Sequence, residues 1–210
     1  MNIHRFLTGP LDVNCYLIVD ESTGKAAVLD PGGLTPQLEA AIQKAGDSNV
    51  EQILLTHGHF DHIGGVAALQ KKTGAKIFLH EADRDFPGES SLNLSRMAIG
   101  GEVPNFSVDR LLKDGETFSL GETVFTVIHT PGHTQGSCCY IAGNALFTGD
   151  TLMKESVGRT DFPTGSMPQL MKSLQQLALL PGDYIIYPGH GSPSTLDEER
   201  KRNPYLGMML

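Results

Sequence analysis

Cysteine is scarce: the chain has three, at Cys15, Cys138 and Cys139, in 210 residues. An odd number with two side by side makes a poor disulfide framework and suits a reducing compartment. Basic charge is also in short supply, with 16 Lys and Arg against 24 Asp and Glu and a formal charge of −8. Such a surface is not built to neutralise a phosphate backbone, so no nucleic-acid partner is expected. Long apolar runs are missing. Pro10, Asp12 and Asn14 break the N-terminal stretch where an export signal needs continuity. The segment 123–149 has no Asp, Glu, Lys or Arg, yet His129, Pro131, His133 and several glycines interrupt it, so it cannot pass for a membrane helix. The expected location is the cytoplasm, with no membrane partner. At 19% the charged fraction is too low for a disordered chain, and 40% hydrophobic residues suffice for a core. What the chain has in excess is glycine, 24 residues without a period, alongside 12 prolines, which points to many turns and functional loops. The length fits one domain over residues 1–210.

Apolar runs from Ile3 to Leu7, Val13 to Val19 and Ala26 to Leu29 alternate with Gly9-Pro10 and Gly24, the pattern of consecutive strands. Thr35-Pro36 offers an N-cap and a first-turn proline. Leu38, Ala41, Ile42 and Ala45 follow at helical spacing, and Gly46 stops the helix. A strand over Val50 to Leu55 leads into a His- and Gly-rich turn, a second helix through Val66, Ala67 and Leu69 to Lys72, and a strand from Lys76 to Leu79. Residues 81–110 lose periodicity and read as an irregular insertion near a pocket. Strands then return at Thr117 to Leu120, Thr123 to Ile128, Cys138 to Ile141 and Ala145 to Phe147, with turns at Gly121-Glu122 and Gly143-Asn144. Ser166 caps a helix carrying the stripe Leu170, Met171, Leu174, Leu177 and Ala178. A strand from Tyr184 to Tyr187 and a helix from about Thr195 to Arg202 complete an α/β layered chain.

The stretch Thr56-His57-Gly58-His59-Phe60-Asp61-His62 packs three imidazoles and a carboxylate into six positions directly after a strand. At this composition the pattern arises by chance about once in a thousand such chains. Imidazole and carboxylate are the ligands that borderline divalent cations take, and neighbouring loop residues can converge on two ions. His133, Asp150 and His190 each follow an apolar strand and a Gly-containing turn, so four loops at one sheet edge deliver ligand-type side chains to one spot. His4, His80 and His129 lie on strands and read as structural. Cys138 and Cys139 are neighbours on a strand, so their side chains point to opposite faces and cannot share an ion; they read as core residues.

These seven positions match, in order, the H-x-H-x-D-H…H…D…H pattern of the metallo-β-lactamase superfamily, which the chain resembles from about Asn2 to its C-terminus. The resemblance includes the strand-Asp-Gly turn at Val28-Leu29-Asp30-Pro31-Gly32. It implies an αββα sandwich of two central mixed sheets flanked by helices. It also implies that His57, His59 and His133 hold one ion, that Asp61, His62 and His190 hold a second, and that Asp150 bridges them. Two divalent ions sharing a water would make it the nucleophile, with Asp61 orienting it, so no Ser or Cys nucleophile is required. Zinc is the expected metal, with iron or manganese suiting the same ligands. Asp30, Thr56 and Thr130 are candidate partners for the outward ring nitrogens of the ligating imidazoles.

Within the superfamily the chain is most similar to the small glyoxalase II-like hydrolases, which act on S-lactoylglutathione and related acyl thioesters. Ser156-Val157-Gly158-Arg159-Thr160-Asp161-Phe162-Pro163 and the tail from Arg200 to Leu206 carry this likeness. Arg159 stands where the family places a basic contact to glutathione, and a guanidinium suits a carboxylate; the alternative is an internal pair with Asp161. The chain departs from full-length glyoxalase II in ending about 20 residues after His190, without a helical substrate domain, and in having Gly191-Ser192 in place of an aromatic glutathione contact. The Gly-Arg-Thr-Asp-Phe stretch also occurs in persulfide dioxygenases of this fold, which use a single iron held by two His and one Asp. Those enzymes commonly have Gln after the Phe, where this chain has Pro163. The expectation is therefore a dinuclear thioester hydrolase, with glutathione persulfide oxidation as the alternative.

Overall fold

A computed structural model describes residues 1–207. Strands β1 (Asn2–Thr8), β2 (Val13–Val19), β3 (Ala26–Leu29), β4 (Val50–Leu54), β5 (Lys76–His80) and β6 (Arg110–Leu112) form one sheet in that order. Its first two pairings are antiparallel and the next three parallel. The second sheet runs β12 (Ser194–Thr195), β11 (Ile185–Pro188), β10 (Ala145–Gly149), β9 (Cys138–Ala142), β8 (Thr123–His129) and β7 (Thr117–Leu120), with β10 and β11 parallel. Helices α1 (Pro36–Ala45), α2 (Phe60–Ile63) and α3 (Val66–Thr73) pack with the first sheet. Helix α4 (Ser95–Ile99) lies in the insertion, and α5 (Met167–Ala178), α6 (Leu196–Arg202) and α7 (Pro204–Gly207) belong with the second sheet. This is the expected pair of mixed sheets flanked by helices.

The period-2 alternation of strand side chains sorts the core into three layers. On β2, Tyr16 and Ile18 face the second sheet, where they meet Phe118, Phe125, Tyr140 and Phe147, while Cys15 and Leu17 turn outward under the helices. On β9, Cys138 joins the layer between the sheets and Cys139 the layer beneath α5, so the two thiols do sit on opposite faces. Helix ends fall where their caps put them. Thr35 Oγ1 accepts from Leu38 N, Ser166 Oγ from Gln169 N and Thr195 Oγ1 from Glu198 N, each filling an otherwise orphaned donor.

The insertion is less irregular than expected. It contains α4, bounded by Leu94 and Gly100 in the left-handed region (φ 67° and 66°), and its last residue, Arg110, opens β6, which extends the first sheet beyond β5. Five helical and three strand residues are too few to show a period, which is also why α2, with four residues, is invisible in the pattern. Among the described residues no helix is long and apolar enough to cross a membrane.

Candidate metal centre

The candidate ligands sit just past the C-terminal ends of β4, β8, β10 and β11, which place four loops at one edge of the sandwich. Close approach between these loops depends on glycine. Gly149, at φ 48°, lies against the Thr56 side chain, and a Cβ on Gly189 would run into Asp150 Oδ1 and the His62 ring. Backbone bonds then lock the loops together: Cys138 N donates to Thr56 O at 2.9 Å and Gly189 N to Gly149 O at 2.8 Å.

All seven residues converge. His57, His59 and His133 offer ligand atoms within 4.8 Å of one another, as do Asp61, His62 and His190, and His57, His62 and Asp150 form a third overlapping group. Asp150 joins the halves. Its Oδ1 lies 3.5 Å from His62 Nε2, and its Oδ2 lies 3.5 Å from His133 Nε2 and 3.7 Å from His190 Nε2. His59 Nδ1 faces His133 Nε2 at 2.9 Å.

The outward nitrogens show which atoms are free to ligate. His133 Nδ1 donates to Arg159 O at 2.7 Å, and His62 Nδ1 to Asp30 Oδ2 at 3.0 Å. Thr56 Oγ1 donates to Asp30 Oδ2 at 2.7 Å and so accepts from His57 Nδ1 at 3.1 Å. Asp30 thus fixes two rings, one directly and one through Thr56, and leaves each Nε2 lone pair pointing inward. Thr130 does not serve in this way. Its hydroxyl pairs with Thr151 Oγ1 at 2.8 Å and lies 3.4 Å from Cys139 Sγ, because β8 turns it toward the loop carrying Asp150 and away from the imidazoles.

The residues present fit divalent ions. His57 Nε2, His62 Nε2 and Asp150 Oδ1 are buried without a hydrogen-bond partner, an arrangement that costs free energy unless a cation takes their lone pairs. Electrostatics agree. Burial, reinforced by the surrounding imidazoles, pushes His57 and His59 well below the usual histidine range, so both keep open lone pairs. Burial also opposes charge on His62, but Asp61, Asp150 and Asp30 outweigh it and raise its pKa to about 10, so without metal a proton holds the Nε2 position that a divalent ion would take. Burial works against the Asp61 anion as well, yet His62, His190 and His59 hold its carboxyl below the ordinary carboxylate range. The cluster attracts positive charge at its centre.

Asp83 is a positioning residue that the sequence did not reveal. Fully buried, it accepts from Gly58 N at 3.0 Å, Thr134 Oγ1 at 2.8 Å and Gly136 N at 2.7 Å, tying the loop of His57 and His59 to that of His133. Nothing local marks it, since its partners lie 25 to 53 residues away. His80 and His129 stack on each other, centroids 3.9 Å apart, and stay outside the ligand groups. Arg159 lines the cavity of about 470 Å³ that opens over the centre, but its Nε and Nη2 grip Asp161 at 2.9 and 2.7 Å.

The sequence profile of the metallo-beta-lactamase superfamily matches residues 8–190. Hydroxyacylglutathione hydrolase GloC of Haemophilus influenzae is 37% identical over 213 residues, covering 98% of both chains. Among solved structures, the BLEG-1 B3 metallo-beta-lactamase matches with a TM-score of 0.88 at 33% identity, covering 98% of this chain and 99% of that one. TTHA1623, solved in a di-iron-bound form, matches with a TM-score of 0.84 at 35% identity over 97% and 100% of the two chains. With the ligand pattern, the two-sheet fold and these likenesses in agreement, the chain belongs to the metallo-beta-lactamase superfamily.

Proposed function

We propose that the protein hydrolyses the thioester of a small acyl thiol, S-lactoylglutathione or a compound like it, at a dinuclear centre. The observation that carries this reading is the pair of three-residue ligand groups, His57, His59, His133 and Asp61, His62, His190, joined by Asp150 beneath an open cavity. The 37% identity to a hydroxyacylglutathione hydrolase supports the substrate class. Zinc suits the donors, as do iron and manganese, and the di-iron form of a similar chain supports two ions without fixing the element. A cytoplasmic setting and a small-molecule partner complete the proposal.

When bound, the ions supply a water of lowered pKa and polarise the thioester carbonyl. The chain's own groups do the rest. Asp61 Oδ2, 3.3 Å from His190 Nε2 and 3.7 Å from His62 Nε2, stays ionised at the cavity floor and can orient the attacking water. Asp30 and Thr56 keep His57 and His62 in one orientation throughout. A thiol leaving group, with an ordinary pKa of about 8.5, departs as thiolate and needs no strong acid. No cysteine competes as nucleophile, since all three are buried and burial raises their pKa, that of Cys139 to about 12.

The test is steady-state hydrolysis of S-lactoylglutathione by metal-quantified protein, following thioester loss and thiol release. Expected is a kcat/KM of about 10⁴ M⁻¹s⁻¹ or more, with His59→Ala and Asp150→Ala each losing metal and activity together. Near-zero turnover of this and every other small acyl thioester by metal-replete protein overturns the reading; oxygen consumption on glutathione persulfide by protein holding a single iron would establish the dioxygenase instead.

A further inference from the structure

The cavity above the centre is walled by Leu11, Leu94, Met97, Ile99, Met153 and Phe162. Thioester hydrolysis itself asks for none of these. Three of them are exposed: Leu11 at 55%, Met97 at 68% and Ile99 at 51% of their surface. They come from the β1–β2 turn and from α4, segments far apart in sequence that both bring apolar surface to the same opening. Apolar side chains left in water around a ligand cavity mark what the ligand covers.

Charge points the same way. Apart from the ligating histidines, the one cation among the described residues lining the cavity is Arg159. Both donors on one edge of its guanidinium bond Asp161, and its face lies 4.2 Å over the Phe162 ring. A carboxylate arriving on a thiol carrier finds only the Nη1 edge open, on a guanidinium whose charge Asp161 already offsets. Asp161, two residues away, also competes as an intramolecular partner for the occupied edge, so a carrier carboxylate gains less here than from an unpaired arginine. An apolar acyl group meets no such competitor.

We propose that this cavity selects its thioester by an apolar aliphatic acyl group laid against Leu11, Met97 and Ile99, and not by carboxylates on the thiol carrier. The inference rests on the thioesterase reading and names the substrate class within it. The test is a series of straight-chain acyl thioesters, acetyl to octanoyl, made on uncharged N-acetylcysteamine and on glutathione and assayed with metal-replete protein. Expected is a rise in kcat/KM of about fourfold per methylene, the factor that burying one methylene supplies, and alike on both carriers. The double variant Met97→Ser/Ile99→Ser should cut the octanoyl-to-acetyl ratio roughly tenfold or more, whereas Asp161→Asn should free Arg159 and lower KM for the glutathione series alone. Hydrolysis with a flat chain-length profile, or a strong preference of the native protein for glutathione over the uncharged carrier, overturns this inference and leaves the thioesterase reading standing. No hydrolysis of any member overturns both.

Discussion

Asp30 shows how much one side chain can determine at this centre. It sits at φ 50°, in the left-handed region that Asp and Asn tolerate better than other residues, and it is fully buried at the end of β3. Its carboxylate takes Thr56 N at 2.8 Å, Thr56 Oγ1 at 2.7 Å and His62 Nδ1 at 3.0 Å, all donors. Asp30→Asn keeps the backbone conformation but sets an NH₂ against Thr56 N if it replaces Oδ1, or against both Thr56 Oγ1 and His62 Nδ1 if it replaces Oδ2, which releases both rings. Metal affinity should fall about 10- to 100-fold, measured by competition with a chromophoric chelator, and an unchanged affinity would show that the two rings orient themselves. Thr56 was legible because it directly precedes the His57–His62 run, and Asp30 because its strand-Asp-Gly turn is part of the family resemblance. Thr130 occupies a similar place in the sequence, yet its hydroxyl went to Thr151, since the direction a strand-end side chain takes depends on the neighbouring loop.

Between elements, Asp83 holds the loop after β4 to the loop after β8 through three hydrogen bonds. Burial raises its pKa to about 6, against the bonds from Thr134, Gly58 and Gly136 that favour the anion. The folded protein therefore keeps a proton that the unfolded chain has already released, and this contribution to stability is full below about pH 4 and lost as pH rises through about 6. Relative to an Asp83→Asn variant, which does not titrate, the native chain should lose up to about 3 kcal/mol between those limits. Urea titrations of the metal-stripped proteins across that range measure it, and a constant difference would mean that the carboxyl stays ionised in the fold. Helix α4 belongs to the same scale. Five residues between left-handed ends cannot hold a helix by propensity, and their place in the fold is what turns Met97 and Ile99 into cavity wall.

For the whole molecule, ions at the centre would cross-link loops from both sheets and so bind the native chain and not the unfolded one. Excess metal at 100 to 1,000 times its Kd should stabilise by about 3 to 4 kcal/mol and raise Tm by about 6 to 16 °C. Scanning calorimetry before and after chelation checks this, with Tm restored on adding zinc back; a Tm indifferent to chelation would place the ions outside the folded core. Strands and helices whose period or caps are local, such as β2 and α1, were legible from the chain alone, as were the seven candidate ligands, whose chemistry and placement after strands are written in a few adjacent residues. Which distant segments meet is set by the packing of the whole chain: Asp83 with Gly58 and Gly136, and Leu11 with α4 around one opening. Those meetings depend on how two sheets and an insertion pack, and the packing of distant segments leaves no period in the chain.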